Sequence, residues 1–313
     1  VGGASHPLGI VSIKVKGWFM RQKRDSTVAG WAMLAPFLIF FVAMALIPII
    51  LAFNESLRPS IQNEAGGLRN YLTVVQDYRF VAAVKHTLLY LLIAAPLLTV
   101  VVLGLALLLD SYRTKWHQYV RLAYLIPGCY VGAAGVLVWY GALEPIIGPY
   151  RSVLNYFGIE SAGQIFLPNN LVFIFAMMAL VANAGGWIVV QFGGLQEISD
   201  EVIEAAKIDG CSNLQLATKI KLPLIKKNVV YMVVLVIAAS VQIFAEPYII
   251  NSALFRGIAV DWSLNQLSYT LAFTEGDFAA ASAVSVMLLI ACLVPALILI
   301  FKTKFFESGD ESK

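Results

Sequence analysis

Apolar residues in this chain run in long unbroken blocks rather than at the spacing of a surface helix or strand. Six stretches contain no Asp, Glu, Lys or Arg: Trp31–Phe53, Thr87–Leu109, Leu122–Leu143, Leu171–Leu195, Val229–Ala245 and Phe278–Phe301. A helix crosses the hydrocarbon core of a bilayer with about 20 residues, and every block approaches or exceeds that length. The fifth is the shortest because Glu246 interrupts it just before Pro247, and Tyr248, Ile249 and Ile250 carry the apolar run onward. None shows the apolar–polar alternation of a barrel strand, so the pattern predicts an all-α membrane protein with six transmembrane helices. Pro36, Pro48, Pro96, Pro127 and Pro295 fall inside the blocks. Each would cost a soluble helix about 3 kcal/mol, whereas packed membrane helices absorb proline as kinks.

Composition removes the main alternatives. Of 313 residues, 59% are hydrophobic and 13% charged, against about 25% charged in a soluble domain. That excludes a soluble enzyme and a disordered chain. Placing the N-terminus in the cytoplasm puts 16 of the 22 Lys and Arg on the cytoplasmic side, among them Arg21, Lys23, Arg24, Lys219, Lys221, Lys226 and Lys227. Loops rich in Lys and Arg stay inside, so both termini are expected to be cytoplasmic. The net charge of +3 then reflects topology, and no basic patch with interleaved aromatics accompanies it, so nucleic acid is not an expected partner. Residues 1–28 form a basic N-terminal segment. Lys14, Lys16 and Arg21 break its apolar positions, which argues against a cleavable signal. Leu8–Met20 mixes apolar residues with lysines in the manner of an interfacial helix on membrane lipid, or of a frayed basic tail. Residues 29–301 form the membrane domain and 302–313 a short cytoplasmic tail. Cys129, Cys211 and Cys292 suggest no exported disulfide and read as small packing residues.

Motifs for chemistry are missing. There is no G-x-x-x-x-G-K-[ST] loop, no G-x-S-x-G elbow and no H-E-x-x-H, and His6, His86 and His117 lie far apart. The chain carries no expected cofactor and no metal site, and a transport step driven by ATP would draw its energy from another subunit. A secondary transporter would call for internal repeats and several embedded charges, and neither is evident. A membrane enzyme would call for a nucleophile–base pair or a metal cluster in the spans.

The loop over residues 196–227, "QEISDEVIEAAKIDGCSNLQLATKIKLPLIKK", is the most informative segment. Ser199 suits a helix N-cap, and Asp200 and Glu201 follow in the first turn, where the helix dipole favours negative charge. Ile198 and Ile203 sit at the positions of a hydrophobic staple. Val202, Ala205, Ala206 and Asp209 recur at helical spacing, and Gly210 suits a left-handed stop. Ser212 and Gln215 form a capping box for a second short helix, after which Ile220, Leu222 and Pro223 return the chain to the membrane. The loop therefore predicts a firm two-helix peg. Its small residues allow another protein to pack closely, with Glu204 and Asp209 supplying charge beside them; an amphipathic loop lying on the bilayer is the alternative.

Glu204, Ala205, Ala206, Gly210 and, after nine intervening residues, Ile220, Leu222 and Pro223 resemble the EAA motif of permease subunits of binding-protein-dependent ABC importers. The segments Asn70–Asp110, Ile126–Gly148 and Phe192–Gly210 are similar to the sugar-importer branch, and the likeness runs from about residue 29 to 301. His86 stands where that branch usually has Asn, and the last outer loop lacks its T-x-G-G-P run. The resemblance implies a type I ABC importer permease fold in the bacterial cytoplasmic (inner) membrane, transporting a carbohydrate or related polyol. It implies that Glu204, Ala205, Ala206, Asp209, Gly210, Leu222 and Pro223 form a coupling helix and its return, seated on an ATPase subunit. It further implies two ATP-binding subunits holding ATP and magnesium, a second permease forming a heterodimer, and an extracytoplasmic solute-binding protein as partners.

For the solute path the residues offer candidates only. A carboxylate embedded against a span is a functional candidate, and Glu246 is one. Asn183, Trp187 and Gln191 in the fourth block, with Ser240 and Gln242 in the fifth, add an aromatic face and amides suited to sugar hydroxyls. Polar residues also hold membrane helices together, and Gly185 and Gly186 could serve close packing.

Overall fold

The computed structural model describes residues 30–111, 117–129, 132–254 and 261–303. The Leu8–Met20 segment and nearly all of the tail lie outside the described residues. Among the described residues the chain is helical, with one isolated bridge between Ser60 and Asn63. It divides into two units, residues 1–54 and 55–313.

In the first unit, helix α1 (Gly30–Ser56, whose last two residues belong to the second) is apolar enough to span a bilayer. It loosens into a π-helical stretch at Val42–Leu46, just before Pro48. The proline ring would strike the carbonyl four residues back, and the wider turn relieves that clash.

The second unit begins with α2 (Arg69–Gln76) and the long α3 (Tyr78–Ser111). The third apolar block is not one straight helix. It consists of α4 (His117–Leu125), a 3₁₀ turn (Ile126–Cys129) and α5 (Ala133–Ala142), the two halves lying at 93°. Pro127 sits in the turn, where its missing N–H and its ring end the preceding α-helix. Pro96 and Pro295, by contrast, lie within continuous helices. Cys129, expected as buried filler, is exposed at the bend. Short helices α6 (Arg151–Tyr156) and α7 (Ala162–Ile165) lead to α8 (Pro168–Gln196), which has proline at its start, where no intrahelical N–H is needed.

After the loop, the fifth block is also broken. Helix α12 (Lys226–Val241) stops, and α13 (Ala245–Ala253) begins after a gap at Gln242–Phe244. Pro247 lies in the first turn of α13, so the interruption comes a few residues earlier than Glu246 itself. Helix α14 (Leu264–Tyr269) and the last span, α15 (Phe278–Lys302), complete the unit.

The core of the second unit is a helix stack built on small residues. Ala94, Ala95 and Ala106 of α3 are buried, as are Ala176 and Gly185 of α8. A β-carbon on Gly185 would overlap the carbonyl of Tyr124 in α4, so the close approach of α4 and α8 requires glycine there. Gly186 meets nothing. Towards the loop end, Leu98, Val102, Ile188, Phe192 and Met232 pack together; towards the far end, Tyr90, Phe166, Phe175, Ile250 and Trp262 do.

Candidate functional site

Two features of the second unit bear on function, a peg at one end and a cavity near mid-length. The peg follows from capping chemistry. Helix α9 (Asp200–Ile208) starts after Ser199, whose backbone carbonyl accepts from Val202 N at 3.2 Å. The Ser199 side chain makes no cap bond, so the start of α9 rests on Asp200 and Glu201 in the first turn and on packing. Gly210 has φ of +80°, a left-handed conformation open to glycine without strain. The return is closed by Cys211 N donating to Ala206 O and Gly210 N to Lys207 O, both at 3.0 Å. Ser212 N then donates to Gln215 Oε1 at 2.9 Å, and Gln215 N to Ser212 Oγ at 3.3 Å, forming the anticipated capping box at α10 (Asn213–Gln215).

The second helix is not an isolated stub. From α10 the chain runs on through a π-helical stretch (Leu216–Lys221) into α11 (Leu222–Leu224), and α12 begins two residues later. Pro223 is again preceded by a wide turn. Ile203, Ala206 and Leu216 are buried together, with Ile198, Cys211 and Ile220 against them. Ala206 thus faces the peg's own core rather than an outside surface. Glu204, Ala205, Asp209 and Gly210 are exposed, Pro223 is exposed and Leu222 half-buried. Ile208 and Leu214 are also exposed, at 85% and 74%. They extend the apolar tip, and their position beside Gly210 was the available signal.

The base of the peg is fixed by buried charge. Lys221 Nζ pairs with Asp110 Oδ2 at the end of α3, and Gln196 Nε2 at the end of α8 donates to Asp110 Oδ1 at 2.7 Å. Asp110 and Lys221 are 4% and 7% exposed. An ion pair this deep persists only where partners satisfy it, so α3, α8 and the peg are tied at one point.

The cavity lies among α3, α8, α12 and the α12–α13 break, with a volume of about 540 Å³, within the range of about 300–1,000 Å³ of small-molecule sites. Asn183 and Trp187 of α8 line it, as do Ser240, Gln242 and Glu246. Asn183 and Glu246 also border an adjoining pocket of about 160 Å³. Gln191 is elsewhere. It is fully buried, its Nε2 donating to Asn228 O at 3.2 Å. The same Nε2 also faces Met232 Sδ at 3.7 Å, so the amide is turned towards α12 and away from the cavity. Tyr90, Ala94 and Leu98 of α3 line the cavity as well; their i, i+4, i+8 spacing was legible. Trp187 meets Tyr231 edge-on at 6.0 Å.

The helix break exposes backbone within the membrane-spanning region, and α14 satisfies it. Ser263 Oγ donates to Ile243 O at 2.8 Å and Asn265 Nδ2 to Gln242 O at 3.1 Å. Nearby, Trp262 is buried, donates from Nε1 to Pro168 O at 2.9 Å and stacks on His86 at 5.4 Å. At the same end Arg79 contacts Asp77, Asp261 and Glu275. The Arg79 guanidinium holds the Asp77 carboxyl below the usual range, while burial pushes Asp261 up, the Thr270 hydroxyl and Arg79 opposing it. Among the described residues no group of His, Cys, Asp and Glu could hold a metal ion.

A broken-helix membrane bundle with a cavity at the break and a rigid peg at one end is the form of an importer permease. A model of the family of binding-protein-dependent transport system inner membrane components matches residues 77–306. The chain belongs to that family, as a multi-pass inner-membrane permease component. It is 28% identical over 307 residues to the arabinooligosaccharides transport system permease protein AraP of Bacillus subtilis, covering 95% of this chain and 94% of that protein. It is 24% identical over 268 residues to the trehalose/maltose transport system permease protein MalF of Thermococcus litoralis, covering 84% and 90%. Among solved structures it resembles a chain of a bacterial ABC transporter involved in import of the acidic polysaccharide alginate, with a TM-score of 0.74 and 20% identity over 93% of this chain and 99% of that one. A chain of a bacterial alginate ABC transporter in complex with an alginate pentasaccharide-bound periplasmic protein gives 0.71 and 19%, covering 92% and 97%. These two likenesses establish the fold.

Proposed function

We propose that this chain forms half of the path of an ATP-driven importer for a carbohydrate or related polyol. An extracytoplasmic binding protein delivers the solute, a second permease supplies the other half, and two separate ATPase subunits hold ATP and magnesium. Both termini and the peg lie in the cytoplasm. Glu204, Ala205, Asp209 and Gly210 meet the ATPase, Ala206 holds the peg together, and Leu222 and Pro223 lead its motion into α12. Closure of the ATPase dimer pulls the peg, and α8 and α12 rock so that the cavity changes the side it faces. Asn183, Trp187, Gln242 and Glu246 meet the solute: an indole face for a sugar ring, amides and a carboxylate for hydroxyls.

The observation that carries this reading is the peg, a self-packed two-helix element turned at Gly210 and anchored beneath by the Asp110–Lys221 pair. The sugar transport systems of the relatives support the solute class. The test is Gly210→Val in the complete importer. A β-branched residue at φ of +80° is strained, so the variant is expected to insert and assemble yet lose most solute-stimulated ATPase activity and uptake. Normal coupling in that variant would refute the assignment.

A further inference from the structure

We infer that the cavity discriminates by charge: this chain's half of the path admits uncharged and aminated sugars and turns away uronic acids and phosphorylated sugars. The inference rests on the proposed reading of the cavity as the solute path, and narrows it to a substrate class. Among the described residues, Glu246 is the one charged side chain lining the cavity, and also the one lining the adjoining pocket. None of the described Lys, Arg or His residues faces either space. Among the described residues, buried Lys221 is committed to Asp110 and half-buried Arg79 to a set of carboxylates.

The broken helix strengthens the argument. In discontinuous membrane helices, the positive N-terminal end commonly receives an anionic part of the solute. Here Phe244 and Ala245, at the start of α13, line the cavity, so such an end is presented. Glu246 in that first turn takes up its positive potential. Pro247, the next residue, has no N–H to offer. An anionic sugar would therefore meet a carboxylate where an acid-binding site would hold a free helix end or a guanidinium. A like charge about 5 Å away, at an effective dielectric constant of about 20, costs on the order of a hundredfold in affinity. The fold does not set this preference, since a similar fold occurs in a transporter of the acidic polysaccharide alginate. The residues at the break do.

The test is saturation-transfer NMR on the detergent-purified importer without its binding protein, which removes that protein's own selectivity. The probes are three disaccharides of one size: cellobiose, the glucosamine dimer and the galacturonate dimer. Signals abolished by Trp187→Ala report this cavity. In the wild type, cellobiose and the glucosamine dimer are expected to bind and the galacturonate dimer to bind at least tenfold more weakly. Glu246→Gln should bring the galacturonate dimer to within about threefold of cellobiose, while Glu246→Asp should keep the rejection and shows that the position tolerates change. Equal binding of all three by the wild type, or discrimination unchanged in Glu246→Gln, would overturn the charge inference and leave a sugar path standing. Absence of any Trp187-sensitive signal from all three would overturn the sugar path itself, and this inference with it.

Discussion

Replacing Lys221 by Met tests whether the peg is tied to the bundle by charge. Methionine keeps an unbranched stem of similar length but removes the ammonium, leaving Asp110, 4% exposed, with Gln196 as its polar partner. Removing one member of a buried pair costs about 3–5 kcal/mol, because the survivor is an uncompensated charge. At about 2 °C per kcal/mol for a chain of this size, the loss is roughly 6–10 °C in melting temperature. Asp110→Asn alone should cost a similar amount by stranding the ammonium. The double variant should recover more than half of the summed loss, since neither charge then remains. The assay is the temperature at which each detergent-solubilised variant loses its monodisperse peak in size-exclusion chromatography. Single variants within 2 °C of wild type, or a double variant equal to the sum of the singles, would refute the clamp.

Two further outcomes follow from the same geometry. Glu204→Lys reverses the charge on an exposed face of the peg without touching its core, so it should lower recovery of the ATPase subunit on co-purification several-fold while the permease alone melts unchanged; undiminished recovery would remove Glu204 from the contact. Asp261 lies outside the spans and its carboxyl is raised above the ordinary value of 3.8 by burial. A raised folded-state value means the group favours folding when protonated, and that contribution is lost as pH rises through the folded value. Asp261→Asn, which is never charged, should therefore melt above wild type at pH 7.5, with the advantage shrinking as pH falls towards 4. An advantage independent of pH, or none, would contradict the burial argument.

What the sequence made legible and what it hid divide along physical lines. Bilayer thickness sets span length, so the six apolar blocks announced themselves. Capping is local, so Gly210 and the Ser212–Gln215 box could be read directly, although the Ser199 side chain proved unused. Breaks were harder. Pro127 ends a helix while Pro96 and Pro295 do not, because the outcome depends on what packs beside each one rather than on proline itself. The cavity was partly visible: Asn183 and Trp187 line it, but Gln191 is engaged by Asn228 and Met232 of α12, a packing contact that no sequence pattern reveals. The Asp110–Lys221 pair joins residues 111 apart in the chain, and no pattern in the sequence links them. Ala206 looked like part of a contact surface and instead fills the peg's interior, a distinction that only the fold of Leu216 back onto it decides.

The two hydrogen bonds from Ser263 and Asn265 to the interrupted fifth span carry a mechanical consequence. Carbonyls within a bilayer cannot turn to water when they lose their donors. The interruption beside the cavity is therefore a hinge whose pin is held by the loop that leads into α14. It cannot straighten or fold further unless that loop travels with it or lets go. A protein docking on that loop would accordingly have a grip on the hinge without reaching into the membrane.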